Sequence, residues 1–209
     1  MGKPQEVVEL LKAGHSPEEI AEALRISVNS VFGYLDRAVG EGRIRRSDIY
    51  FSLPPSRREM HSVARAALGD MYDDLRRIEL ALHRRVRATL AEAFGTDDFG
   101  WWRRGVPETV RVKCQERRER DQDEPCEPYC YTDLLDLGRI IEEHWTLFKD
   151  QLPTRYSTNR KALLEALARL NRVRNKVMHP VRGLVPCREE FEFVQELERD
   201  IIPANWPVA

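Results

Sequence analysis

Residues 158–180 read TNRKALLEALARLNRVRNKVMHP. At 100° per residue, Leu163, Ala166, Leu167, Leu170, Val173 and Val177 fall on one stripe, so the spacing predicts an amphipathic helix over about 158–178. Arg174 stands one turn past Leu170, at the edge of the stripe. A guanidinium there must snorkel or find a partner, because an unpaired buried charge is costly. Asn171 and Asn175, four residues apart, form a polar row beside it. Pro180 disfavours α geometry at the residue before it, so the helix should end near Met178 and leave His179 at its C-terminus, within reach of Asn175 and Arg174. Two readings of this end stay open: a cationic cap that complements the helix dipole, or a place where phosphates are handled.

The same periodicity recurs on both sides. A long helix is expected over about 57–94, through Met60, Ala64, Ala67, Met71, Leu75, Ile78, Leu82, Val86 and Leu90, with Gly95 as its stop. Another is expected over about 132–149, through Leu134, Leu137, Ile141 and Trp145, and a last one over about 187–201. The stretch 95–130 reads as loop-rich: Trp101-Trp102, a short helix, then a charged run at 116–127 that is most simply a solvated loop. The Trp pair suits packing over a loop or the stacking of bases. The expected fold class is all-α. A Pro pair in LPPSRRE, residues 53–59, breaks any helix and divides the chain into residues 1–53 and 57–209.

In the first part, Val7, Val8, Leu10 and Leu11 make an amphipathic start that Gly14 closes. Ser16-Pro17-Glu18-Glu19 is a helix opening, with Ser as N-cap, Pro at the first helical position and Glu19 as capping-box partner; Ile20, Ala21 and Leu24 then face inward. Ser27 caps a third helix whose inner face is Val28, Val31, Leu35 and Val39, with Gly40 and Gly42 at its end. RIRRSDIYFSL, residues 43–53, is expected as a hairpin or wing. Two helices joined by a tight turn are the layout of a helix-turn-helix. The stretch LLKAGHSPEEIAEALRISVNSVFGYLDRAVGEGRI resembles winged helix-turn-helix domains, including the type appended to some RecQ-like helicases. That resemblance implies DNA as a partner, with the third helix in the major groove. Asn29, Ser30, Tyr34 and Arg37 would then face the bases, and Arg43, Arg45 and Arg46 on the wing would meet phosphates. Against it, residues 1–50 hold seven Lys/Arg and eight Asp/Glu, so a protein-facing role stays open.

Formal net charge over all 209 residues is −1, so any nucleic-acid contact must come from local patches rather than from a general pull. No run of 18 or more apolar residues occurs, which argues against a membrane helix. The stretch MGKPQEVVELLKAG lacks a long apolar core, a small-residue cleavage site and a myristoylation signal, so the expected location is cytoplasmic. Cys126 and Cys130 are spaced C-x3-C, with Cys114 and His144 as conceivable further zinc ligands; free thiols are the plainer reading in a cytosolic chain. Walker A, G-x-G-x-x-G and G-x-S-x-G patterns are absent, which weighs against nucleotide-driven and serine-hydrolase chemistry, and no cofactor is expected.

Arg174-Asn175-x-x-x-His179 matches the R-N-x-x-x-H signature of the HEPN superfamily of all-helical domains. The segments RRIELALHRRVRATLAEAFG, WWRRGVP, YTDLLDLGRIIEEHWTLF and LLEALARLNRVRNKVMHP follow in the order seen in one HEPN branch, over roughly residues 65–200. The resemblance implies an up-and-down helical bundle that acts as a homodimer, with the motifs of two protomers meeting in one cleft. It further implies a metal-independent endoribonuclease of a toxin or defence kind, with RNA in the cleft and an antitoxin-like protein as a candidate partner. Arg174, Asn175 and His179 would be the catalytic residues. Attack of a ribose 2′-OH on its neighbouring phosphate needs a proton acceptor, a donor to the leaving oxygen and a cation for the developing charge. Histidine titrates near neutrality and can move the proton; arginine offers a planar fork to the phosphate oxygens; asparagine would orient either group. Glu79 is a candidate counter-charge for Arg174 or a solvated i,i+4 partner on its own helix. Some HEPN domains bind RNA or assemble without cutting, so the rival expectation is a non-catalytic dimeric DNA-binding regulator.

Overall fold

The computed structural model describes residues 2–58, 62–97, 100–123, 126–179 and 185–202. All regular structure among them is helical, as the periodicity predicts. No helix among the described residues is long and apolar enough to cross a membrane. The chain divides into two compact units, Met1–Asp73 with Cys187–Phe191, and Asp74–Pro186 with Glu192–Ala209.

In the first unit, α1 (Lys3–Lys12), α2 (Pro17–Leu24) and α3 (Val28–Gly40) pack against one another. Val7, Val8, Leu11, Ile20, Ala21, Val31, Leu35 and Ala38 form the shared core. Their local signals act as the sequence predicts. The Ser16 hydroxyl accepts from the Glu19 N–H at 3.2 Å, and the Glu19 carboxylate accepts from the Ser16 N–H at 2.8 Å. Ser27 accepts from Ser30 N–H at 3.1 Å to open α3. Gly14 adopts φ 94°, the left-handed conformation that stops α1 at no steric cost. The turn between α2 and α3 instead holds Arg25 at φ 51°, the one non-glycine among the described residues at positive φ.

The expected wing is absent. Residues 43–53 contain α4 (Arg46–Ser52), followed by the short α5 (Pro55–Arg58). Two local causes favour helix over hairpin. The Asp48 carboxylate accepts from the Arg45 N–H at 2.8 Å, a first-turn cap. Ile49, Tyr50 and Leu53 then recur at helical spacing and are buried, with α4 packed on α1. Aromatic packing completes this unit: Phe51 lies edge-on to Phe191 at 5.3 Å between ring centres.

The long helix α6 (Ser62–Phe94) begins in the first unit and continues into the second. Ala67, Met71, Leu75, Ile78, Leu82, Val86 and Leu90 are buried, as their spacing predicts. Met60 and Pro180 lie outside the described residues, as does the Ala64 side chain. Gly95, at φ 81°, stops the helix, and its carbonyl accepts from Trp101 N–H at 2.8 Å.

After a wide π-type turn at Trp101–Gly105 comes α7 (Glu108–Arg120). This helix takes up the first half of the charged run expected as loop. Val110 and Cys114 anchor it in the core, and Arg117 is drawn inward by two aspartates. Beyond it lie α8 (Leu134–Glu143), α9 (Trp145–Phe148), α10 (Thr154–Ser157), α11 (Arg160–Met178) and α12 (Arg188–Ile201). The expected helix over 132–149 is therefore broken at His144 into α8 and α9. On α6, the buried Arg85 donates to the Ile201 carbonyl at 2.9 Å, and burial lowers its pKa.

Candidate functional site

Helix α11 packs on α8, and its stripe of Leu163, Ala166, Leu167, Leu170 and Val173 is buried. Asn159 opens the helix by accepting from Ala162 N–H at 3.0 Å. The helix ends at Met178, and His179 leaves it with φ −124° and ψ 64°. This is the stop that the X-Pro step imposes.

Arg174 solves its burial problem with a partner. Its Nε lies 2.6 Å from Glu79 Oε1 of α6, with the two side chains 34% and 28% exposed. The pair is thus half-buried, neither a solvated surface contact nor a dry core one. Burial pushes the Glu79 carboxyl up, Arg174 pulls it back, and nearby Asp133 raises it again; the balance is upward.

Asn175 is half-buried and His179 is exposed. The motif is therefore graded along one helix end, from a fixed cation to an accessible imidazole. Arg174 faces Glu79 of α6, and His179 stands exposed just past the helix end.

Next to Glu79 stands a second charged group that the periodicity does not announce. Arg117 of α7 donates to Asp136 at 2.7 Å, to Asp133 at 2.9 Å and to the Tyr131 carbonyl at 2.6 Å. Asp136 is 1% exposed and Arg117 36%, so this ion pair has one buried partner, the carboxylate. The Asp-Leu-Leu-Asp opening of α8, an N-cap with a carboxylate three residues on, is the signal that could have found it. His83 lies nearby, edge-on to Tyr129 and 3.3 Å from the Thr132 hydroxyl, and burial lowers its pKa.

Trp101 and Trp102 pack edge-on to Tyr129 with ring centres 5.1 and 6.4 Å away, and the Arg87 guanidinium lies 5.2 Å from the Trp101 centre. That is the packing use of the pair. All four cysteines are free, with Cys114 buried. Among the described residues no three His, Cys, Asp or Glu side chains gather as a metal site would require.

In the first unit, Asn29, Ser30 and Arg37 are exposed on α3, and Tyr34 is half-buried on it. The three arginines expected on a wing stand elsewhere. Arg43 sits in the turn after α3, 2.8 Å from Glu41; Arg45 caps α4; Arg46 begins α4 and pairs with Asp70 at 2.7 Å.

No family model matches this chain, nor does any curated protein or solved structure.

Proposed function

We propose that this protein is a metal-independent endoribonuclease of the HEPN kind, with Arg174, Asn175 and His179 at its centre and the N-terminal helix-turn-helix for nucleic-acid targeting or regulation. The observation that carries the reading is the half-buried Glu79–Arg174 pair, placed five residues before an exposed histidine. A half-buried ion pair adds little net stability, because desolvation offsets most of the attraction. Its value lies in geometry: Glu79 engages Nε and fixes the guanidinium, which presents its remaining N–H groups in one orientation. A pre-set cation is what a developing phosphorane charge needs. His179, exposed to solvent, can take the 2′-OH proton or return one to the 5′-oxygen. A homodimer that apposes two copies of the motif would bring both arginines and both histidines to one cleft.

The test is cleavage of mixed RNA in EDTA by the wild type and by His179→Ala. Cutting that survives EDTA, leaves 2′,3′-cyclic phosphate and 5′-OH ends, and vanishes in the variant supports the reading. A pure, dimeric wild type that cuts nothing overturns it. A second reading, a dimeric DNA-binding regulator, is favoured by one observation: α3 is properly capped and presents Asn29, Ser30 and Arg37 outward. In that case duplex DNA would be bound and Arg37→Ala would release it.

A further inference from the structure

Two exposed thiols, Cys126 and Cys130, stand on one turn of the second unit between α7 and α8. The chain between them is folded back on itself. Pro128 opens a 3-10 turn over Pro128–Tyr131, and the Cys130 N–H donates to the Glu127 carbonyl at 2.9 Å. The C-x3-C spacing thereby becomes a contact, in which the two thiols share a hydrogen bond. Cys114, by contrast, is enclosed in the core.

Groups other than the thiols fasten this turn. Tyr129, 5% exposed, donates from its hydroxyl to the His83 carbonyl at 2.8 Å, and the Thr132 hydroxyl donates to the Tyr129 carbonyl at 2.8 Å. Arg117 donates to the Tyr131 carbonyl at 2.6 Å, and Glu127 pairs with Arg87 at 2.9 Å. The Tyr131 hydroxyl donates to Asp121 at 2.7 Å and lies against Cys126 as well. With the backbone so held, joining the two sulfurs adds little loop-closure cost, whereas an unfolded chain has to meet that cost in conformational entropy. Among the described residues no third His, Cys, Asp or Glu joins the pair as a metal site would require. Two adjacent, solvent-facing thiols are suited to thiol–disulfide exchange.

We propose that Cys126 and Cys130 form a reversible redox site, which passes two electrons to a small-molecule disulfide of the glutathione type and closes as an intramolecular Cys126–Cys130 disulfide. One protein thiol loses its proton and attacks a sulfur of the small disulfide; a mixed disulfide forms and one small thiolate leaves. The second protein thiolate attacks the protein-side sulfur of that mixed disulfide, so the Cys126–Cys130 bond forms and the second small thiolate leaves. The two protons given up by the protein end on the two small thiols, and excess small thiol drives the exchange backwards. The site uses none of Arg174, Asn175 and His179, so its test is independent of RNA cutting.

The full chain is equilibrated with reduced and oxidised glutathione over a series of ratios, quenched in acid, alkylated and mapped by mass spectrometry. The wild type should show one bond within the peptide that carries both residues, seen as the loss of two hydrogens and the protection of both sulfurs from alkylation. Exposed Cys187 serves as the comparison. It should carry glutathione, while adducts on Cys126 and Cys130 stay at least ~10-fold rarer because the neighbouring thiol displaces them. Cys130→Ser should turn Cys126 into a glutathione-bearing cysteine like Cys187. In urea the equilibrium constant for closing the bond should fall at least ~10-fold, because the turn is no longer held. Adducts on Cys126 and Cys130 as abundant as those on Cys187 overturn the proposal. So does a bond from Cys130 to Cys114, or a closing constant that is the same in urea and in buffer.

Discussion

Glu79 Oε1 and Arg174 Nε meet at 2.6 Å and tie the middle of α6 to the last turn of α11. The contact explains why an arginine is tolerated beside an apolar stripe. It also sets up a carboxyl that burial and Asp133 raise against the pull of Arg174.

The first prediction concerns the titration of that carboxyl. Its folded pKa lies above the unfolded one, so protonation favours the fold. The contribution of Glu79 to stability is therefore full below the ordinary glutamate value and is lost as pH rises through the raised folded value. Carbon-detected NMR should place the Glu79 midpoint above that of free glutamate, and Arg174→Gln should move it further up. A midpoint below the ordinary value would refute the balance of burial over pairing.

Removing one partner of the pair strands the other. Arg174→Ala and Glu79→Ala should each cost about 1–2 kcal/mol, between the values for exposed and buried pairs. The double change Glu79→Ala with Arg174→Ala should cost less than the two single losses together. Urea denaturation of the four proteins reads the coupling, and strict additivity would mean the pair contributes no interaction.

A larger loss is expected at Asp136, which is 1% exposed and accepts from Arg117 at 2.7 Å. Asp136→Ala removes the buried acceptor while Arg117, about one-third exposed, keeps Asp133 and the Tyr131 carbonyl, and it should cost about 2–3 kcal/mol. Asp136→Asn, which keeps an acceptor oxygen, should cost less. Thermal melts that show both variants within about 1 kcal/mol of the wild type would sink this account.

Burial pushes the Cys114 thiol up to about 11, and its side chain is fully enclosed. At pH 8 the native chain should show Cys126, Cys130 and Cys187 reacting with a thiol reagent. Cys114 should lag at least ~10-fold and become reactive in denaturant. Four thiols titrating together in the native state would contradict the packing of α7.

The cap at the start of α2 offers a check on the first unit. Ser16→Ala removes the acceptor of the Glu19 N–H and should cost about 1 kcal/mol, with Ser16→Gly milder. An unchanged melt for Ser16→Ala would show that the cap contributes nothing here.

Several features follow from sequence because their causes are local. The apolar stripes of α6 and α11 arise from a 3.6-residue repeat, and the Ser16–Glu19 box and Gly14 act within one turn of chain. An X-Pro step likewise acts on its immediate neighbour, which is why the end of α11 at Met178 was legible. Tertiary packing decided the rest. Residues 43–53 hold both strand-forming and helix-forming signals, and burial of Ile49, Tyr50 and Leu53 in the first unit selects the helix. The charged run at 116–120 becomes helix because Cys114 and Arg117 find a core and two aspartates supplied by later segments. Which carboxylate meets Arg174, and which ring lies under Arg169, depends on how faces of distant helices come together. Periodicity names the face that a residue lies on; only the packed structure names its partner across the gap.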